Sequence, residues 1–235
     1  MCYTVPMPAK NSLKNYLENS YYHLYNRGVE KRIIFLDQQD YLVFLSYLKE
    51  YLLPKNEKLL NKRLYDPSIS SIERDNILKT LKLNNFSDEI SLLAYCLMPN
   101  HFHFFIKQKS PNSIDTFMNS LCTRYSMYFN RKNKRVGSLY QGVYKAVLIE
   151  NESQFLHLSR YIHKQALAFQ GEALEGYGGQ PSSYMDYIGK RKTEWVHPEE
   201  ILSYFSKDNP SLSYENFVKE KDDFEILNNL TLEEN

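Results

Sequence analysis

Residues 92–107, LLAYCLMPNHFHFFIK, constrain the fold more than any other stretch of this chain. Two short apolar runs are broken at Met98-Pro99-Asn100, and a Pro-Asn pair marks a turn, so His101 opens a fresh strand. Side chains of a strand alternate between faces, which puts His101, His103 and Phe105 on one side and Phe102, Phe104 and Ile106 on the other. Two imidazoles on one face sit roughly 6 to 7 Å apart at the backbone, close enough for both rings to converge on one divalent ion. The same pattern also fits two half-buried histidines in an aromatic sheet, and the choice between them depends on the rest of the chain.

The 235 residues, 43% hydrophobic and 14% aromatic, suffice for one large domain with a real core. No run reaches the eighteen or so apolar residues of a membrane helix, and the first ten residues lack the apolar centre of a secretory signal, so no membrane and a cytoplasmic location are expected. Cys2, Cys96 and Cys122 are odd in number and widely spaced, which fits neither a disulfide framework nor a zinc knuckle. The net charge of +1 hides an asymmetry. From Thr116 to Ile149 there is no acid, while Arg124, Arg131, Lys132, Lys134, Arg135 and Lys145 supply six positive charges among aromatics such as Tyr140. That composition suits a solvated face or, with stacking surfaces beside phosphate-binding cations, single-stranded nucleic acid. Residues 215–235 instead carry seven acids against two lysines and form an acidic tail.

In chain order, residues 21–28 read as a strand ending in an Asn-Arg-Gly turn, and Asp37 caps an amphipathic helix over 38–53 that Pro54 ends. Residues 55–89 are polar, with weak helical patterning around 72–83, and read as an insertion. Beyond the histidine strand, Ser113 is placed to cap a helix, 130–135 reads as a basic loop, 139–149 as strand material broken at Gly142, and 151–169 as a helix. This order of strand, helix, strand, strand, helix, strand, helix predicts an α+β fold with helices on one face of an antiparallel sheet. Residues 170–235 carry too little periodic apolar content for a second domain and read as an appendage with helices at 198–205 and 214–225.

On the 151–169 helix, Tyr161 and Gln165 stand four residues apart and so share a face. A phenol and a neutral amide one turn apart pair a nucleophile with an oxygen donor, though in a chain of 20 tyrosines such a coincidence is cheap. No other tyrosine after the histidine strand has Gln or Asn four residues later.

Taken together, YNRG near the N-terminus, AYCLMPNHFHFFI, YFNRKNKRVGSLYQGVYK and LSRYIHKQA resemble the IS200-like single-tyrosine transposases, most closely their REP-associated tyrosine transposase branch, over roughly residues 20–190. Members of this family are HUH endonucleases, and the His-hydrophobic-His pair falls on His101 and His103. The resemblance implies a ferredoxin-like antiparallel sheet with helices packed on it, Tyr161 as the catalytic nucleophile, and His101, His103 and Gln165 as ligands of Mg2+ or Mn2+. It implies a transposase domain over 1–190, interrupted at about 55–89 and followed by a helical extension over 191–235. The implied partner is single-stranded DNA bearing a hairpin, contacted by Arg27, Arg124, Arg131, Lys132, Lys134, Arg135, Tyr140 and Lys145. The branch usually continues its tyrosine motif as His-Leu-Asn-Pro, where this chain has His163-Lys164-Gln165-Ala166. Monomer and homodimer both stay open, as do a noncatalytic DNA-binding regulator, an HUH nuclease of rolling-circle replication or mobilisation, and an α+β interaction domain with incidental histidines.

Overall fold

A computed structural model describes residues 16–168 and 180–220. Four strands form one antiparallel sheet: β1 (Ser20–Arg27), β2 (Ile90–Met98), β3 (His101–Gln108) and β4 (Lys145–Leu148), in the order β2-β3-β1-β4. Helix α1 (Gln38–Leu52) joins β1 to β2 by way of α2 (Glu57–Leu64) and α3 (Ser71–Lys82), and α4 (Ser113–Lys132) joins β3 to β4. A βαββαβ chain path with this strand order is the ferredoxin-like arrangement that the family resemblance implied. The helices α2 and α3 occupy the polar 55–89 stretch, and Asp37 caps α1 as expected, its carboxylate accepting from Asp40 N at 3.1 Å.

The expectation of helices on one face alone is corrected. Phe102, Phe104 and Ile106 of β3 join Leu24, Tyr95 and Leu97 in a core under α1 and α4, with Phe44, Phe117 and Tyr125. Phe105 and Cys96 point the other way, into a second core under α5 (Glu152–Ala168) with Phe155, Leu158, Tyr161 and Ile162. Alternation along the nearly all-apolar β2 requires cover on both faces, because every second side chain must be buried on each. The second face is completed by α6 (Tyr184–Tyr187), α7 (Glu199–Leu202) and α8 (Tyr214–Lys219), through Tyr184, Tyr187, Ile201 and Tyr214. These polypeptide segments also cover the outer edge of β2: Leu97 N donates to Pro181 O, Ser183 N to Tyr95 O and His197 N to Leu92 O. An edge so occupied cannot template pairing with another strand along that length.

Three boundaries differ from the reading of the sequence. Ser113 is the first helical residue rather than the cap, and its hydroxyl donates to Glu89 at 2.8 Å. The helix α4 runs on through Arg131 and Lys132, so only the end of the expected basic loop is irregular. It stops in a Schellman turn, with Arg135 N donating to Asn130 O at 2.8 Å and Lys134 in the left-handed region at φ 49°. The expected strand over 139–149 shrinks to β4. Tyr140 makes only a bridge to Gly28, the Asn26 amide takes the Gly142 carbonyl at 3.2 Å, and Tyr144 turns into the core to donate to Asp115. In the appendage the expected helices shorten to α7 and α8. Cys2, residues 1–15, the second half of the expected 214–225 helix and most of the acidic tail lie outside the described residues. Cys96 and Cys122 are free thiols, and among the described residues no helix is long and apolar enough to cross a membrane.

Candidate active site

The β2–β3 turn is held from below by the chain leaving β1. Pro99 O accepts from Ile34 N at 2.8 Å and Phe35 N at 3.1 Å, and Asn100 O accepts from Gly28 N at 2.8 Å. Gly28 has to be glycine, since a Cβ there would lie 2.3 Å from Arg32 O. His101 is therefore fixed at the first position of β3, opposite Arg27 of β1 and Met98 of β2, and His103 follows opposite Tyr25 and Cys96.

Both imidazoles face α5, as the alternation of the strand requires. Their ring centroids are 4.9 Å apart, and the ring of Tyr161 stands 5.5 Å from that of His103. Tyr161 and the histidine pair thus meet within one chain. Gln165, half-buried, lies one turn further along α5, and among the described residues its amide makes no side-chain hydrogen bond. His101 is lowered to about 4, by burial first and then by the nearby Arg27 charge, and His103 is held well below the ordinary imidazole value, by burial first and then by His23 and His101. Both are neutral near pH 7, the state in which imidazole ligates a metal.

These residues fit a metal ion by their donor chemistry. Among the described residues His103 Nε2 is buried without a hydrogen-bond partner, and His101 Nδ1 is taken up by Asn100 Oδ1 at 2.6 Å, which leaves the Nε2 of His101 free to ligate. No group of three His, Cys, Asp or Glu side chains suited to a metal ion occurs among the described residues, so an ion here depends on two imidazoles and a neutral amide. That combination is open-sided and leaves coordination positions for substrate oxygens.

The cations expected to meet DNA do not form one surface. Paired residues of an antiparallel ladder share a face, so Arg27 beside His101 and Lys145 in the row Lys145–Tyr25–His103 lie on the histidine face. Arg124, Arg131 and Lys132 belong to α4, on the opposite face. Lys132 is engaged, its ammonium 2.7 Å from both Asp37 and the fully buried Asp40, which raises its pKa. Arg124 pairs with Glu50 at 2.8 Å and lies over the Tyr47 ring at 3.7 Å. Arg135 closes its own turn, donating to Asn130 and Ser138. Arg131 and Lys134 are exposed. Tyr140 is corrected as a stacking surface: it is 6% exposed and packs edge-on to Phe102 in the core, where no base can reach its face. Replacing Arg131 and Lys134 by Gln is expected to flatten the salt dependence of single-strand binding by up to about 0.7 log units for each phosphate no longer neutralised. Lys132→Gln should instead lower stability, by about 1–3 kcal/mol in a denaturant melt, because the Asp40 carboxylate is left without its cation.

Sequence reasoning missed His23. Its Nε2 lies 2.9 Å from His103 Nδ1, and its ring is 6.2 Å from Tyr161. The sequence signal was only a histidine in the expected first strand, and the pairing of that strand with the histidine strand is what brings His23 to His103. His163, two positions beyond Tyr161, is a structural residue: both ring nitrogens are bonded, Nδ1 to Tyr214 Oη at 2.6 Å and Nε2 to Ser183 Oγ at 2.7 Å. Burial lowers it to about 3. Unfolded imidazole titrates near 6.5, so below that pH the unfolded chain takes up a proton that the folded chain refuses. Stability is expected to be flat above about pH 6.5 and to fall toward pH 3, by up to about 1.4 kcal/mol per pH unit from His163 alone. Thermal melts across that range check this, and His163→Gln should shallow the decline.

The sheet is ferredoxin-like, with a strand-borne histidine pair under a tyrosine-bearing helix. Residues 68–165 match the family profile described as "Transposase IS200 like", a span that includes the histidine strand and ends on Gln165. Over that segment the chain is similar to the IS200-like transposases. No curated protein matches it. Among solved structures it is similar to a REP-associated tyrosine transposase bound to a REP hairpin, at 9% identity over 80% of this chain and 96% of that one, with a TM-score of 0.47. It is also similar to a candidate transposase from Deinococcus radiodurans R1, at 16% identity over 66% of this chain and 97% of that one, with a TM-score of 0.27.

Proposed function

We propose that this protein is a single-stranded DNA transposase that nicks and rejoins DNA through a covalent 5′-phosphotyrosine, acting at hairpin-forming ends of the REP or insertion-sequence type. The observation that carries the reading is the juxtaposition of Tyr161 with His103, whose buried Nε2 has no partner among the described residues, inside the IS200-like segment. Mg2+ or Mn2+ held by His101, His103 and Gln165 would supply Lewis-acid polarisation of the scissile phosphate.

The chain's own groups do the rest. Arg27 and Lys145, on the histidine face, steer and neutralise the phosphates flanking the scissile one. Tyr161 Oη forms a bond to phosphorus as the bond to the upstream 3′-oxygen breaks. The phenolic proton passes to solvent and the departing oxygen takes one up, leaving a free 3′-hydroxyl and a tyrosyl ester. The ester keeps the energy of the original phosphodiester, so attack by a second 3′-hydroxyl reverses the step on a new strand and needs no ATP. Because Tyr161 reaches the histidine pair of its own chain, the geometry favours a site complete in one copy.

Incubation with hairpin-bearing single-stranded DNA and Mn2+, followed by a denaturing gel, is expected to give a protein–DNA adduct and a nicked product. DNA binding with no adduct under any divalent ion would favour the second reading, a noncatalytic DNA-binding regulator on the same fold. Arg27→Gln and Lys145→Gln should each raise the DNA concentration at half-maximal cleavage several-fold, more than Arg131→Gln does.

A further inference from the structure

The two histidines present the same nitrogen in the same direction, and two residues outside the proposed ligand set account for it. Asn100 Nδ2 donates to Lys31 O at 3.2 Å, which fixes the orientation of the amide and turns Oδ1 toward His101. An amide oxygen only accepts, so His101 Nδ1, 2.6 Å away, must carry the ring proton, and the lone pair lies on Nε2. At His103 the logic runs through burial. A proton on Nε2, which has no partner among the described residues, would be a buried, unsatisfied donor, whereas a proton on Nδ1 has an acceptor in His23 Nε2 at 2.9 Å. The His23 and His103 rings lie nearly parallel, 20° apart with centroids 5.1 Å apart, so this contact also sets the plane of the His103 ring.

We propose that His23 and Asn100 are positioning residues that hold His103 and His101 as Nδ1–H tautomers and so aim both Nε2 lone pairs at one shared ligand. That the ligand is a divalent metal rests on the function proposed above. Groups that orient metal-binding imidazoles typically change affinity 10–100-fold when removed.

The test uses the full chain and two readouts that need no cleavage. Nitrogen-15 imidazole spectra of the metal-free protein are expected to show His101 and His103 as Nδ1–H tautomers. His23→Phe, which keeps a ring but not the acceptor, should shift His103 toward the Nε2–H form and weaken Mn2+ binding by about 10–100-fold in a titration. His23→Gln brings an amide oxygen near the position of the missing nitrogen and should restore both. Asn100→Ala, at a half-buried turn, should move His101 alone. An Nε2–H tautomer at either histidine in the wild-type protein overturns the proposal. So does a folded His23→Phe variant with unchanged Mn2+ affinity, or a His23→Gln variant as impaired as His23→Phe, which would make His23 a ligand or a packing ring. Nδ1–H tautomers in a wild-type protein that binds no Mn2+ would uphold the positioning and overturn the metal reading instead.

Discussion

Tyr161→Phe is expected to abolish the covalent adduct and the nicked product while hairpin DNA still binds. The proposed reaction cannot proceed without the phenolic oxygen, and removing a nucleophile typically costs more than about a thousandfold in rate. The ring itself belongs to the second core, against His103, and phenylalanine keeps that packing. Loss of one hydroxyl should therefore lower stability by no more than about 1 kcal/mol. A purely structural tyrosine would show the same small change in melting but undiminished cleavage. Tyr140→Phe and Tyr144→Phe serve as controls, because both rings are buried on the side of the sheet away from α5. If Tyr161→Phe still forms an adduct, the nucleophile is another tyrosine, and mass spectrometry of the nuclease-trimmed product identifies it.

The histidine strand was legible because its signals are local. A Pro-Asn turn and period-2 alternation decide which side chains share a face before any tertiary contact is known. The 3.6-residue stripe of α5 likewise predicted that Tyr161 and Gln165 stand one turn apart. What alternation cannot tell is which helix covers which face. Both faces of β2 are apolar, and only the packing of Phe105 on Phe155 shows α5 and α4 to be on opposite sides. The basic segment misled for a related reason. Its charges are contiguous in sequence, but helical geometry and the neighbouring α1 acids divide them, so Lys132 and Arg124 end in ion pairs while Arg131 and Lys134 stay exposed. Acids 74 to 95 residues upstream do not register in a segment that contains none of its own. His23 was missed because its partner is on another strand, at a register that only the folded ladder reveals.

His101→Ala is expected to reduce cleavage to the level seen in excess EDTA, with hairpin binding largely retained. His101 sits at the partly exposed start of β3, so truncating its ring removes a donor without opening the core. The phosphate contacts proposed for Arg27 and Lys145 lie on neighbouring strands and survive the change. His103→Ala should abolish cleavage as well, but it is a less clean experiment. That ring is fully buried and bonded to His23, so its removal leaves a cavity and an unpaired imidazole nitrogen and is expected to cost about 2–5 kcal/mol of stability. A stability loss at His103 consequently does not separate a ligand from a core residue, whereas the effect at His101 does. Two measurements on His101→Ala decide the matter: its melting temperature, expected near that of the wild type, and its Mn2+ affinity, expected to fall well over tenfold with the removal of a direct ligand. Cleavage by the wild-type protein that persists in excess EDTA, or a His101→Ala variant that cleaves normally, would remove the histidine pair from the chemistry and leave it as part of the sheet.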